Sequence, residues 1–197
     1  MGKTNIYIDS DSIAFNLQEK LIESVKKDYG LSKYFNKTKF YNLDYIKKSL
    51  SKEIYNGYVR DVDFWKQIVL RDDFKDFCNR IESLVNFNFI VNGVSKKDVE
   101  NRAATLREMP WQFETLLNYV DDEENVEKLE EIAEDGILVT GSVNKVKNSC
   151  YDINIFLNLN NGIDAIKMLA GTECFIVDTW EELFQTVKWI VEHEEDY

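Results

Sequence analysis

Short apolar runs alternate with amphipathic stretches along the second half of the chain. Apolar runs of about four to eight residues between polar turns are typical of buried strands, whereas apolar residues every three to four positions predict helices. The predicted strands are 85–91, 113–120, 137–140, 153–159 and 174–177. Predicted helices alternate with them at 95–108, 123–134 and 162–169, and a last helix follows Thr179. This alternation indicates an α/β, Rossmann-like fold, a mostly parallel sheet with helices on both faces.

The first half of the chain has a different pattern, because it contains only one predicted strand, at residues 6–8. From about residue 12 to residue 83 the apolar residues fall at helical spacing, as Leu17, Leu21 and Val25 do. We therefore predict a helical cap, approximately residues 16–75, inserted after the first strand. The sequence has no linker, repeat or low-complexity segment, so a single domain is expected over residues 1–197.

Composition narrows the classes of function. The formal net charge is −12, and an acidic surface argues against binding to a nucleic-acid backbone. No apolar run reaches the roughly 18 residues of a membrane span. The N-terminal residues show no signal-peptide pattern and the three cysteines are scattered, so we expect a cytoplasmic protein.

Two carboxylates, Asp9 and Asp11, follow the first predicted strand. Side chains two residues apart on an extended chain point the same way, and α/β proteins bind ligands where strands end. The same Asp-Ser-Asp-Ser sequence is also common in turns and helix caps, so both interpretations are open at this point. The single histidine, His193, lies in an acidic tail, which leaves carboxylates as the main catalytic option.

A strand that ends in Asp-x-Asp, then a helical insertion, then repeated strand–helix units resembles the haloacid dehalogenase-like (HAD) phosphohydrolase superfamily. The nearest resemblance within it is to the 5'(3')-deoxyribonucleotidase-like group. It is carried by residues 8–14, 64–68, 73–74, 89–93, 155–158 and 177–183. The resemblance implies that Asp9 is a nucleophile that forms an aspartyl-phosphate. It implies that Asp11 is the general acid and base, which protonates the leaving oxygen and later activates water.

The later motifs depart from those of the family. Asn92 and Gly93 stand where the second motif usually presents Ser or Thr to phosphate, and the helix after Ser95 can add backbone N–H groups. The strand 137–139 ends in Thr140 instead of the acids that usually hold Mg²⁺. The resemblance implies five phosphate-binding candidates: Asn92, Gly93, Ser95, Lys128 as the third-motif lysine, and Thr140.

Two other alignments of the motifs restore the missing acid. In one, Asp121 and Asp122 form the acidic motif. In the other, residues 138–142 are the second motif, Lys167 is the third-motif lysine and Asp178 supplies the acid. The sequence leaves all three alignments open. The candidate Mg²⁺ ligands are therefore Asp9, Asp11, Asp121, Asp122 and Asp178.

Two main hypotheses of function follow from the resemblance. The first is an Mg²⁺-dependent phosphatase acting on a small phosphate ester such as a nucleoside monophosphate. The alternative is a catalytically impaired binding or interaction protein on the same fold, which would take a small phosphorylated ligand or a basic protein partner. A third hypothesis, a PIN-like metal nuclease, is disfavoured by the acidic surface.

Overall fold

Six parallel strands form the centre of the protein in a computed structural model that describes residues 3–30, 46, 48–93, 96–119, 136–159 and 162–193. The strands are β1 (Thr4–Asp9), β2 (Val85–Gly93), β3 (Phe113–Tyr119), β4 (Ile137–Thr140), β5 (Ile153–Leu157) and β6 (Phe175–Val177). Their order in the sheet is β3-β2-β1-β4-β5-β6. The strand β1 is therefore interior, with Ile8 paired to Phe89 on one side and to Val139 on the other.

Eight helices accompany the strands among the described residues. They are α1 (Leu17–Tyr29), α2 (Lys52–Arg60), α3 (Val62–Trp65), α4 (Asp72–Ile81), α5 (Lys96–Arg107), α6 (Val143–Lys147), α7 (Gly162–Met168) and α8 (Trp180–Glu192). A π-helical turn, Ser10–Ala14, directly follows β1. The described helices include none that is long and apolar enough to cross a membrane. The predicted helix at 123–134 lies outside the described residues.

The strand β5 illustrates why both faces of the sheet carry helices. Phe156 packs in an apolar cluster with residues of α6 and α7, whereas its neighbours Ile155 and Leu157 join the main core, which includes residues of α8. Consecutive residues of a strand face opposite sides, so the two clusters lie on opposite faces. The predicted α/β, Rossmann-like fold is confirmed.

The helical segment between β1 and β2 leaves and returns at the same place. Phe15 and Leu70 form an isolated antiparallel bridge, and the Arg71 backbone N–H donates to the Ala14 carbonyl at 2.9 Å. Apolar residues of this segment belong to the same core as the sheet: Leu17, Leu21, Val25, Phe64, Ile68 and Leu70. Its designation as a cap over residues 16–75 stays a prediction, and residues 31–45 and 47 lie outside the described part.

Candidate functional site

Three polar side chains converge where the central strands end. Asp9 is the last residue of β1, Thr140 is the last residue of β4, and Asn92 lies one residue before the end of β2. Because β2 and β4 flank β1, these residues meet at one edge of the sheet. Asp9 is only 2% exposed, so its carboxylate depends on protein groups for its hydrogen bonds.

Four donors surround the Asp9 carboxylate. The Ser12 and Thr140 hydroxyls both donate to Oδ2 at 2.7 Å. The Lys145 ammonium donates to Oδ1 at 2.5 Å, and Asn92 Nδ2 donates to the same oxygen at 3.2 Å. A carboxylate has about four lone-pair positions. Each lone-pair position of Asp9 therefore has a donor.

Backbone groups fix the direction of both hydroxyls. The Gly141 N–H donates to Ser12 Oγ at 2.9 Å, and the Ser142 N–H donates to Thr140 Oγ1 at 3.0 Å. A hydroxyl has a single proton, so accepting from the backbone leaves that proton for Asp9. The loop after β4 thus orients two of the four donors.

These contacts set the charge of Asp9. Burial acts to raise the pKa of the Asp9 carboxyl, but the positive charge of Lys145 and the hydrogen bonds from Lys145, Ser12 and Thr140 outweigh it. The pKa of Asp9 consequently lies below its ordinary value. Asp9 is ionised at neutral pH, as one half of an ion pair with Lys145.

Asp11 lies in the π-helical turn and has a different cationic partner. Arg102 Nη1 from α5 is 2.9 Å from Oδ1 and 2.8 Å from Oδ2. The same nitrogen also donates to the Asn92 carbonyl, and the Asn92 N–H donates to Asp11 Oδ2 at 3.2 Å. Both side chains of the ion pair are almost fully buried, with 4% of Arg102 and 5% of Asp11 exposed.

The helical segment contributes one side chain to this arrangement. The Arg102 guanidinium lies over the Trp65 ring of α3, 4.3 Å from its centroid. A guanidinium over an indole face is attracted by the ring electrons. Trp65 is itself held by its Nε1–H, which donates to the Val59 carbonyl. The Asp11–Arg102 pair is therefore covered by a residue inserted between β1 and β2.

Three of the other predicted site residues lie in the described part of the chain, and none of them has a described hydrogen bond or ion pair with Asp9. Asp178 is exposed just after β6, and its carboxylate accepts from Asn158 Nδ2 at 2.5 Å. Two strands separate β6 from β1, which puts Asp178 about 14 Å across the sheet at roughly 4.8 Å per strand spacing. Lys167 is exposed on α7. Gly93 ends β2. Four predicted residues lie outside the described residues: Ser95, Asp121, Asp122 and Lys128.

Of the side chains that contact Asp9 or Asp11, three were not among the predicted site residues: Ser12, Arg102 and Lys145. The sequence did contain a signal for Arg102. It is three residues after Val99 and four before Leu106, so it lies on the inward, apolar face of a predicted helix, where an arginine is unusual. Lys145 is in the first turn of α6, whose capping residue is Ser142. This five-residue helix was too short for its pattern to predict it, so its lysine gave no usable signal.

The described residues do not fit Mg²⁺. The ion takes about six oxygen ligands at roughly 2.0–2.1 Å. The Asp9 oxygens already accept from four donors, and both Asp11 oxygens face Arg102. The described part of the chain contains no group of three or more His, Cys, Asp or Glu residues that could hold a metal. The cations that balance the two acids are side chains, Lys145 and Arg102.

Known proteins are similar to this chain in fold. No protein-family model and no curated protein matches it. A HAD-like family hydrolase of Streptococcus pneumoniae has a TM-score of 0.58 at 10% identity, with 94% of this chain and 98% of that chain covered. A HAD-like family hydrolase of Xanthomonas campestris has a TM-score of 0.56 at 13% identity, with 100% of both chains covered.

A third solved structure is described with a bound metal. A putative HAD-hydrolase of Bacillus subtilis, bound to magnesium, has a TM-score of 0.53 at 9% identity, with 94% of this chain and 99% of that chain covered. At these identities the likeness shows the fold alone. The chain has the six-stranded α/β fold of HAD-like hydrolases, and the similarity to the nucleotidase-like group stays a prediction.

Proposed function

We propose that this protein binds a small phosphorylated ligand on the fold of HAD-like hydrolases, and that Asp9 and Asp11 hold cationic side chains instead of reacting. The observation that carries the proposal is the filling of all four lone-pair positions of Asp9. A carboxylate attacks phosphorus with a lone pair. A carboxylate that already accepts from four donors is a weak nucleophile.

The surroundings of Asp11 support the same proposal. A general acid must carry a proton on one oxygen and give it to the leaving group. Both oxygens of Asp11 lie within hydrogen-bond distance of Arg102 in a nearly closed environment. Since both oxygens contact Arg102, the role proposed for this carboxylate is to anchor Arg102.

Lys145 is the group that we propose meets the ligand. Its side chain is 32% exposed, in contrast to the buried Asp9. An ammonium has three N–H donors, and the described contact with Asp9 uses one of them. Lysine binds phosphate as a compact positive charge, and the carboxyl edge of a parallel sheet is where such folds bind ligands.

Calorimetric titration of inorganic phosphate and of a nucleoside monophosphate tests the proposal with four proteins. The wild-type chain should bind, and Lys145→Gln should weaken binding at least about tenfold, or ~1.4 kcal/mol. Lys147→Gln removes an exposed charge from the same helix and should bind as the wild type does. Asp9→Asn should bind at least as tightly as the wild type, because a negative charge beside Lys145 is removed. Absence of wild-type binding, or its loss in Asp9→Asn, would contradict the proposal.

Phosphatase activity is the second candidate. It is favoured by the ionised state of Asp9 at the end of a central strand, in a fold shared with hydrolases. Release of phosphate from p-nitrophenyl phosphate and nucleoside monophosphates, with and without Mg²⁺, separates the two candidates. We expect the wild type to release no more than Asp9→Asn does. Turnover that depends on Asp9 would replace the binding proposal with this one.

A further inference from the structure

We infer that Lys145 is the resident cation of this site: its ammonium holds the position at Asp9 that a divalent metal would need, and removal of its charge opens a metal site there. The inference goes beyond the proposed function, because it concerns which cation Asp9 accepts and does not require a phosphorylated ligand.

Lys145 Nζ lies 2.5 Å from Asp9 Oδ1. A hard divalent cation would bind the same oxygen at roughly 2.0–2.1 Å. The ammonium is itself a compact, strongly hydrated point charge. A metal ion and the ammonium therefore compete for one volume next to Oδ1, and their like charges repel at such a separation.

The capped helix α6 holds the backbone of Lys145 in place. Ser142 caps α6, and its Oγ accepts from the Lys145 N–H at 3.3 Å. Val143 and Val146, on either side, are buried in the cluster beneath α6. Thr140, at the end of β4, binds Asp9 directly. The position of the Lys145 backbone relative to Asp9 is thus fixed by these contacts, unlike that of a lysine on a solvent-exposed surface.

The charges of the two ion pairs balance without a metal ion. Asp9 and Asp11 carry two negative charges, and Lys145 and Arg102 carry two positive charges within the same contacts. An added divalent ion would leave two uncompensated positive charges at a buried position, which is costly. Without the charge of Lys145 the cluster becomes negative, and Asp9 Oδ1 loses its closest donor. Of its two described donors, Oδ1 then keeps only Asn92, and a carboxylate oxygen is a ligand that Mn²⁺ and Mg²⁺ accept.

Titration with Mn²⁺, followed by the loss of the free-ion signal in electron paramagnetic resonance, tests the inference on the full chain after treatment with a chelator. Lys145→Gln keeps a hydrogen-bond donor but no charge, and it should bind Mn²⁺ at least about tenfold more tightly than the wild type, or ~1.4 kcal/mol. Lys147→Gln should behave as the wild type does, which controls for the acidic surface. Asp9→Asn with Lys145→Gln should return to the wild-type level.

Two results would overturn the inference. In the first, the wild type binds Mn²⁺ as tightly as Lys145→Gln does, which would mean that the metal and Lys145 do not compete. In the second, the gain of a folded Lys145→Gln persists when Asp9→Asn is added, which would mean that the metal binds away from Asp9. If Lys145→Gln fails to fold by circular dichroism, Lys145→Met and the charge-keeping Lys145→Arg replace it, with a gain expected only in Lys145→Met. Phosphate affinity is measured separately, so failure of the proposed function leaves the Mn²⁺ result interpretable.

Discussion

The two ion pairs at the carboxyl end of β1 differ in their access to water. Asp11 and Arg102 are both at least 95% buried, and Trp65 covers the guanidinium. Asp9 is equally buried, but 32% of the side chain of its partner Lys145 is exposed. A buried pair is expensive to break on one side, whereas a pair that water reaches contributes less. We therefore expect the Asp11–Arg102 pair to stabilise the fold and the Asp9–Lys145 pair to bind ligands.

The largest effect is expected for Arg102→Met, which leaves Asp11 buried without its cation. Breaking a buried pair on one side typically costs about 3–5 kcal/mol of the free energy of unfolding. Urea denaturation followed by fluorescence measures this loss. Arg107→Met, an exposed position on the same helix, is the matched control and should change the free energy of unfolding by less than about 0.5 kcal/mol.

A second variant separates the cost of leaving Asp11 unpaired from the cost of the lost packing of Arg102. Asp11→Asn combined with Arg102→Met removes both charges, so it should recover part of the stability that Arg102→Met loses. If Arg102→Met alone costs less than about 1 kcal/mol, the pair is not as closed to water as its burial indicates, and the contrast with Asp9–Lys145 disappears.

The next effect is expected for Trp65→Leu. This variant removes the ring that lies over Arg102 and its edge contacts with Phe15 and Phe64. We expect a loss of roughly 1–3 kcal/mol in the free energy of unfolding. Trp189→Leu, at a residue 43% exposed on α8, should cost less. Phosphate or Mn²⁺ binding that changes as much in Trp65→Leu as in Lys145→Gln would argue that the two pairs are not separate.

Lys145→Gln should lower the free energy of unfolding by roughly 1–2 kcal/mol, which is less than the loss expected for Arg102→Met. The loss is smaller because water reaches the lysine and replaces part of its interaction with Asp9. The same variant removes the charge that most lowers the pKa of Asp9, so the pKa of that carboxyl should rise. Carbon-13 NMR of the side-chain carboxyl follows its titration in both proteins. An unchanged pKa of Asp9 in Lys145→Gln would contradict the central role given to this lysine.

The smallest effect is the contribution of Asp9 to the pH dependence of stability. Its native pKa lies below the ordinary value of 3.8, so its contribution is present above pH 3.8 and is lost as the pH falls through the native pKa. Between pH 7 and pH 5 Asp9 should contribute no slope. Comparison of acid denaturation in the wild type and in Asp9→Asn isolates this part, since the variant lacks the titrating group.

The succession of strands and helices along the chain and the placement of Asp9 and Asp11 after the first strand could be predicted because they depend on local patterns. An apolar run followed by acidic residues indicates the end of a buried strand, whatever the rest of the fold is, and this pattern is present at Asp9 and Asp11. The partners of these acids could not be predicted in the same way. Arg102 and Lys145 reach Asp11 and Asp9 only because β2 and β4 flank β1, which is a property of the assembled sheet.

Asp178 also shows that local sequence does not predict which strands are neighbours in the sheet. It follows an apolar strand, as Asp9 does, and local sequence makes the two positions equivalent. The order β3-β2-β1-β4-β5-β6 separates them, because β6 is an edge strand. Hydrophobic pattern predicts that a residue ends a strand, but it does not predict which strand lies beside it.

The bridge between Phe15 and Leu70 has a consequence for the rate of folding. Thr4 pairs with Val85, so β1 and β2 can meet only after the chain has closed a loop that contains the whole helical segment. Closing a longer loop costs more chain entropy, and contacts distant in sequence slow folding. Once Phe15–Leu70 and the Arg71–Ala14 hydrogen bond form, the loop left for β1 and β2 is short. The bridge and the pairing that brings Asp9 beside Asn92 therefore share most of one loop-closure cost, because whichever forms first shortens the loop left for the other.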